Sequence, residues 1–480
     1  MSNSPLNREG EQRNGADARH QAGGASGVCD DDMGRYFGTD GIRGVAGENL
    51  DAGLAFRIGQ AAGTVLARNE GKRPRVIIAR DTRISCDMLE SALTAGLCSV
   101  GSDVTLLGVL PTPAAAYLTI KTEADMGIVI SASHNPFEHN GIKMFGSDGF
   151  KLNDSLEEHI EQLIDDDAGI KRMTGGNLGR IYGDHRFWAD EYVKHLASAA
   201  VGRYGGRIAI DCANGAATET ARLVFRQLDA EFEIFNDEPN GVNINVGCGS
   251  THMGFLHDMM KTGRFGVGFA FDGDADRCLV VDENGETVDG DMMLAVLACD
   301  MRDSGRLKGD GFVGTIVSNS GMDVFAQNNG LNFYRSAVGD RNVLEKMWET
   351  GCNLGGESSG HIILTDDETT GDGQMTAVKF LDLLTQSGKT VSELVRNIPR
   401  FPQVMPSYKL TGGADQRDAI MKNPRLLSEI VKQQERLAGK GRILIRPSGT
   451  EPIIRVLVEA KTENQANKIA KHFLDLIKTL

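Results

Sequence analysis

Three aspartates spaced two apart, Asp272, Asp274 and Asp276, form the densest cluster of chemically capable residues in the chain. Carboxylates this close repel one another unless a cation neutralises them, and a set made only of oxygens suits Mg²⁺ or Ca²⁺. Gly273 and Ala275 between them allow a tight turn. The spacing also mimics an EF-hand loop, with Glu283 at the twelfth position. The sixth position of such a loop must be glycine, however, and here it is Arg277. The segment ahead of the aspartates also has the pattern of a strand rather than a helix, so the set is read as a divalent-metal loop.

Four further stretches could act with it. Ser133 lies in Ser133-His134-Asn135-Pro136, a polar turn at the end of an apolar run, and Lys143 follows ten residues later. Such a turn presents one hydroxyl at the mouth of a sheet. Arg446-P-S-G-T-E-P-I-I-R joins two strands and collects Arg446, Arg455, Ser448, Gly449 and Thr450. Guanidinium forks, hydroxyls and approachable backbone N–H groups suit a phosphate monoester dianion. Glu357 and Ser359 could bond neighbouring sugar hydroxyls, with His361 beyond them as a proton carrier. In Gly38-T-D-G-I-R-G, glycines shape a loop from which Arg43 would point inward. Two motifs are rejected. Ser387-G-K-T lacks the first glycine of a Walker A loop, with Leu383 in its place. Ser133 and His134 are not a hydrolase dyad, because neighbours in such a turn point apart and no G-x-S-x-G surrounds them.

These residues need strands that end in turns, and the chain supplies them repeatedly. Pro74-RVIIARDTR, Gly205-GRIAIDCANGA and Gly311-FVGTIVSNSG each run from β-branched residues into a polar turn, then into a helical stretch such as Asp87–Val100. Further strands are predicted at Asp103–Leu107, at Gly127–Ile130, at Glu231–Phe235 and at Gly266–Phe271. Strands alternating with helices predict repeated α/β units with mixed or parallel sheets. A Gly-rich linker at Thr174–Asp184 precedes an amphipathic helix at Phe187–Ala199. After the proline-rich Pro399-RFPQVMP, the pattern becomes a small α+β unit: strand Tyr408–Leu410, a charged helix, strands Gly441–Ile445 and Ile453–Ala460, and helix Asn464–Leu480.

Composition sets the outer bounds. The 480 residues carry a formal net charge of −15 and are 40% hydrophobic, which describes a globular protein without the basic surface of a general nucleic-acid binder. No apolar run approaches a membrane span. An anionic ligand would therefore meet a local basic island within a negative field. The eight cysteines are scattered without a C-x-x-C pair, as expected of reduced thiols in a cytosol. Residues 1–32 have the composition of a disordered tail without signal-peptide character, and Met33 is expected to be the natural start.

Taken together and in this order, the serine loop S-H-N-P, the metal loop D-G-D-x-D-R, the sugar loop G-E-x-S-G-H and the phosphate loop R-P-S-G-T-E-P resemble the α-D-phosphohexomutase superfamily over residues 35–480. The resemblance implies four domains around a central cleft: three similar mixed α/β/α sandwiches and a C-terminal α+β domain. With the composition shifts, this places a tail at 1–32 and domains at 33–183, 184–287, 288–402 and 403–480. Tyr36-FGTDGIRG, Val338-GDRNVLEKM and Thr369-TGDG are similar to the amino-sugar branch, although Asn342 stands where that branch would carry a tyrosine. The resemblance further implies that Ser133 is phosphorylated and joins Asp272, Asp274 and Asp276 around one Mg²⁺. Arg446, Ser448, Gly449, Thr450 and Arg455 would grip the substrate's phosphate, and Glu357 and Ser359 would read its hydroxyls. Arg43, Lys143 and His361 would surround the transferring group, and Arg277 would support the phosphoserine. The expected activity is cytoplasmic interconversion of glucosamine 6-phosphate and glucosamine 1-phosphate, primed by glucosamine 1,6-bisphosphate and feeding UDP-N-acetylglucosamine for the cell wall. The implied partners are the small sugar phosphate, a second copy in a homodimer, and a kinase or autophosphorylation to load Ser133. No nucleic acid or membrane is expected. Three rivals stay open: the same chemistry on glucose or mannose phosphate, a serine-dependent phosphatase, and a sugar-phosphate sensor.

Overall fold

The computed structural model describes residues 36–38, 40–67, 72–448 and 452–480. The tail and the Met33 start lie outside them, as do Gly449 and Thr450. The chain forms four sheets in sequence order. The first contains β1 (Phe37–Gly38), β2 (Gly41–Val45), β3 (Arg75–Arg80), β4 (Asp103–Val109), β5 (Met126–Ile130), β6 (His139–Gly146) and β7 (Ile181–Gly183), in the order β1-β2-β6-β5-β3-β4-β7. β5, β3, β4 and β7 run parallel, while β6 returns antiparallel beside β5. All five residues of β5 are buried, and so are Val76–Ala79 of β3. That explains why both read as continuous apolar runs instead of alternating ones.

The second sheet holds β8 (Arg207–Asp211), β9 (Glu231–Phe235), β10 (Val267–Phe271), β11 (Cys278–Val281) and β12 (Thr287–Val288), ordered β12-β11-β10-β8-β9. The third holds β13 (Gly311–Thr315), β14 (Asn332–Ser336), β15 (Leu354–Gly356) and β16 (Ile362–Leu364), ordered β14-β13-β15-β16. In each of these sheets a strand in parallel register leads through a short loop into an antiparallel return strand: β5 to β6, β10 to β11, β15 to β16. The fourth sheet, β17 (Gln403–Val404), β18 (Ser407–Lys409), β19 (Arg442–Pro447) and β20 (Ile453–Glu459), is antiparallel throughout and centred on β20.

One hydrophobic core runs through the first three sheets and the helices Thr112–Lys121, His185–Ser198, Gly290–Asp303 and Gly373–Ser387. Phe269, Phe271, Phe312 and Phe380 lie fully buried in it. Each stabilises the fold by about 1.5–3 kcal/mol through burial. The fourth sheet has a separate core that includes Leu426, Val456 and Phe473.

Three segments differ from the pattern read in the sequence. The glycine-rich stretch near 174–184 ends in β7, which pairs with β4, and the proline-rich stretch after 399 includes β17. Both are short edge strands, too brief for a periodic signal. The charged helix of the last unit is two helices, Gly413–Met421 and Pro424–Leu437. Asn423 caps the second and Pro424 occupies its first turn, which Pro favours because its missing N–H has no partner there. The Walker-like Ser387-G-K-T is a helix junction. Gly388 closes Gly373–Ser387 in the left-handed conformation, and Thr390 forms a capping box with Glu393.

Candidate active site

Four of the five chemistry-bearing stretches sit in the turns of antiparallel pairs, and the fifth contributes Arg43 from β2. The β5–β6 connection carries Ser133, β10–β11 the three aspartates, β15–β16 Glu357 through His361, and β19–β20 the phosphate loop. The first two loops meet directly. Ser133 is buried, with φ +50°, a left-handed conformation uncommon for a residue with a side chain. Its Oγ donates to Asp272 Oδ2 at 2.7 Å. His134 Nδ1 lies 3.2 Å from the same Oγ. The two neighbours therefore do not point apart as the turn pattern suggested, because the left-handed backbone at Ser133 brings both side chains to one side. Burial, then the nearby Arg277 and Arg43 charges, push the His134 pKa down to about 4, so its ring is neutral.

Asp272, Asp274 and Asp276 are buried, and one oxygen from each lies within 4.8 Å of the others. Burial and the charges of Asp276 and Asp274 hold Asp272 well above the usual carboxylate range. Asp276 moves the other way: Lys143, His361 and Arg277 overcome the burial that would raise it. Asp274 Oδ1 and Asp276 Oδ1 are buried with no hydrogen-bond partner. Orphaned carboxylate oxygens facing a cluster of like charge fit a divalent cation held by these three groups and Ser133. Glu283, the EF-hand decoy, turns away and accepts from the Ser392 hydroxyl.

Around this cluster the fold closes a ring of charges. Lys143, on β6 and buried, places Nζ 2.8 Å from Asp274 Oδ2, 3.2 Å from Asp40 Oδ2 and 3.6 Å from Asp276 Oδ2. Burial opposes its charge, but Asp274, Asp40 and Asp276 together raise its pKa above that of an ordinary lysine. Arg43 pairs with Asp40, and Lys151 bridges Asp40 to Asp340. Asp340 Oδ2 lies 3.8 Å from His361 Nε2, and His361 Nδ1 lies 3.6 Å from Asp276 Oδ2. The Gly371 N–H donates to His361 Nε2 at 3.2 Å, so the neutral ring carries its proton on Nδ1, toward Asp276. Burial works against the imidazolium, while Asp276, Asp340 and Glu357 raise its pKa. A ring balanced in this way can give or take a proton. Arg277 donates its backbone N–H to Asp272 Oδ1, and its Nε lies 3.8 Å from Asp276.

Glu357 Oε1 accepts from the Gly339 N–H at 2.9 Å, and Ser359 Oγ is buried without a partner. Arg446 stands directly opposite Arg455 in the β19–β20 register, and Ser448 begins the turn. The Arg446 guanidinium has its pKa lowered by burial and then by Arg455, while Glu357 acts in the opposite sense. The phosphate loop thus lies within electrostatic reach of the sugar loop. Asp40, Thr112 and Lys151 join the same charged cluster although the sequence reading did not single them out, while Asp340 comes from the Val338-GDRNVLEKM stretch. Thr112 donates to Asp274 Oδ2 at 2.7 Å across 162 residues of sequence. Nothing local in the chain signals that pairing. Asn342, in the first turn of the helix Asp340–Thr350, donates to the carbonyl of Val338 just ahead of that helix.

The chain matches the phosphoglucomutase/phosphomannomutase family in four consecutive segments: alpha/beta/alpha domain I over 34–170, domain II over 190–285, domain III over 289–401 and the C-terminal domain over 409–476. It is 47% identical to the phosphoglucosamine mutase of Shouchella clausii over 447 residues, 93% of this chain and 99% of that one. To the phosphoglucosamine mutase of Clostridium acetobutylicum it is 45% identical over 448 residues, with the same coverage. Among solved structures, a phosphoglucomutase/phosphomannomutase family protein from Burkholderia thailandensis superposes with a TM-score of 0.77 at 26% identity, covering 92% of this chain and 97% of the other. The N-acetylphosphoglucosamine mutase of Aspergillus fumigatus, solved with GlcNAc-6P and magnesium, shares the fold at a TM-score of 0.59 and 18% identity, covering 86% of this chain and 84% of its own.

Proposed function

This chain belongs to the phosphoglucosamine mutases of the phosphoglucomutase/phosphomannomutase family, isomerases that interconvert glucosamine 6-phosphate and glucosamine 1-phosphate, and on that premise we propose that Ser133 carries the phosphoryl group between the two positions. The observation that carries this reading is the contact of Ser133 Oγ with Asp272 inside a buried acidic triad. A neutral serine hydroxyl does not need three carboxylates. A phosphoserine, with a charge of about −1.5 to −2, needs a cation, and the triad can hold one. Asp272, Asp274 and Asp276 would hold Mg²⁺, which when bound neutralises charge at the transferring group.

In the forward half-reaction the Oγ–P bond of phosphoserine breaks as a bond forms from phosphorus to the free sugar hydroxyl. That hydroxyl loses its proton, and Ser133 Oγ regains one. His361 is the proton carrier in this scheme, while Lys143, Arg43 and Arg277 balance charge as the phosphoryl group passes. Transfer of this kind depends on in-line positioning and charge neutralisation. The product is glucosamine 1,6-bisphosphate, which turns end for end and returns its other phosphoryl group to Ser133. Arg446, Ser448, Gly449, Thr450 and Arg455 grip whichever phosphate is not reacting, and Glu357 and Ser359 hold sugar hydroxyls. A kinase or autophosphorylation first loads the serine, and glucosamine 1-phosphate passes on toward UDP-N-acetylglucosamine.

The test is a coupled assay with Mg²⁺, glucosamine 6-phosphate and a trace of the 1,6-bisphosphate, run beside glucose and mannose phosphates. The expected kcat/KM is highest for the amino sugar. Ser133→Ala abolishes turnover while calorimetry still detects glucosamine 6-phosphate binding. Mutase activity in pure Ser133→Ala protein would overturn the phosphoserine mechanism.

A further inference from the structure

The serine turn is held from behind by two side chains that face away from the reacting atoms. Arg83, at the end of the polar turn after β3, has a fully buried side chain. Its Nε donates to Asp81 Oδ2 at 2.8 Å. The rest of its fork is spent on backbone carbonyls of the serine turn: Ser133 and Asn135 at 2.9 Å each, His139 at 3.1 Å, and Pro136. Asp81 in turn accepts from the Ser131 hydroxyl at 2.7 Å, and that hydroxyl accepts the Ser133 N–H at 2.9 Å. Both backbone groups of Ser133 are therefore engaged from the first domain's own core.

The second grip comes from another part of the chain. Asn245, buried in the loop between β9 and β10, donates Nδ2 to the Ser133 carbonyl at 2.9 Å and to the Asn135 carbonyl at 3.3 Å. Its own backbone N–H is fixed on the Ala213 carbonyl. The two grips are joined through Thr82, whose hydroxyl bonds the Asn214 carbonyl, and the Asn214 amide reaches Asn243. The metal loop makes room for this contact. A Cβ on Gly273 would stand 2.6 Å from the Ser133 carbonyl oxygen and 2.8 Å from Asn245 Nδ2. No positive φ accounts for that glycine, so its role here is to let the hydrogen bond pass.

We propose that Asn245 and Arg83 are positioning residues, a two-sided backbone clamp that holds Ser133 in its left-handed conformation and aims Oγ at the metal loop. This rests on the reading of Ser133 as the phosphoryl carrier. A left-handed non-glycine residue is strained and persists only where its surroundings over-determine it. Four carbonyls bound by one buried guanidinium, two of them shared with an amide from the next domain, are such surroundings. Neither side chain reaches toward the substrate loops, so the clamp acts on the rate of transfer and leaves sugar-phosphate affinity alone.

The test follows loading of Ser133 from glucosamine 1,6-bisphosphate by quenched-flow intact mass, in the full-length protein with Mg²⁺. Asn245→Ala is expected to slow loading and kcat by about 10²-fold, the effect of a misplacement near 1 Å, with the Kd for glucosamine 6-phosphate unchanged. Arg83→Lys keeps the charge beside Asp81 but cannot span four carbonyls, and gives the same split from the other side. Loading of Asn245→Ala at the rate of the unsubstituted protein would overturn the clamp alone. So would a loss of sugar-phosphate affinity and melting temperature in step with the rate, which marks a merely structural residue. Absence of a phosphoryl mass increment on the unsubstituted protein, or its mapping by peptide mass to a residue other than Ser133, would overturn the phosphoserine reading and the clamp together.

Discussion

Arg446 and Arg455 face each other across the β19–β20 ladder, an arrangement that like charges make unfavourable in the absence of an anion between them. A phosphate dianion turns that cost into a binding interaction, and the buried, unpartnered Nε of Arg446 is ready for it. Replacing Arg446 with Met is expected to raise the KM for glucosamine 6-phosphate about 10- to 100-fold, the range for a hydrogen bond to a charged group. It should also abolish the rise in melting temperature that inorganic phosphate gives the unsubstituted protein, which thermal scans in phosphate and phosphate-free buffer will read. Arginines, hydroxyls and glycine in one short turn suit an anion wherever the turn lies, so this residue could be proposed from the sequence. Asp340 was legible only as part of the Val338-GDRNVLEKM stretch, and the partnership of Asp40 and Lys151 with it was not. Each is an ordinary surface charge by type, and only the fold brings Lys151 to both aspartates.

At the scale of the element, the recurring device is a strand, a short loop and an antiparallel return. The sequence showed the strands and the turns, because buried parallel strands are unbroken apolar runs and the loops are rich in Gly, Asp and Ser. It did not show that Glu368 through Asp372 form a strap behind the sugar loop. Asp372, itself buried, caps the helix Gly373–Ser387 and accepts the Tyr192 hydroxyl at 2.7 Å. Burial and the neighbouring Glu368 push its pKa from 3.8 up to about 7. Between those values the folded protein holds a proton that the unfolded chain has released. The group's stabilising contribution is therefore complete below the unfolded pKa and is lost as pH rises through the folded one. Asp372→Asn still caps the helix and still accepts from Tyr192, but it cannot ionise. It is expected to flatten the fall in melting temperature with rising pH and to raise the melting temperature at pH 8 by about 2–4 °C. An unchanged pH profile by calorimetry would exclude Asp372 as its source.

Across the whole molecule, the fourth sheet must be docked so that its phosphate loop reaches Glu357. Glu459 at the end of β20 is fully buried, accepts the Ser320 N–H at 3.0 Å and pairs with Arg442 at 3.0 Å, while Arg442 also donates to the Ile316 carbonyl at 2.6 Å. Asn319, in the same turn, exchanges hydrogen bonds with the Phe401 backbone. Glu459→Ala leaves the Arg442 charge without its carboxylate, though not without its carbonyl partners, and the Ser320 N–H without its acceptor, which should cost about 3 kcal/mol. The expected result is faster proteolysis of the 399–406 stretch and a raised KM, with Ser133 loading from the bisphosphate less affected. The sequence by itself determined the acidic metal-loop chemistry, the candidate anion loop and the repeated α/β pattern, because those follow from residue type and short-range spacing, while the mutase reaction and the four-domain order came with the resemblance its motifs carry. Only the tertiary structure decided which charges close the ring around Asp274, that His134 turns toward Ser133, and that Asn245 reaches the serine turn from 112 residues away. Those contacts join residues far apart in the chain through burial and backbone direction, and neither is written in the local pattern of the residues that make them.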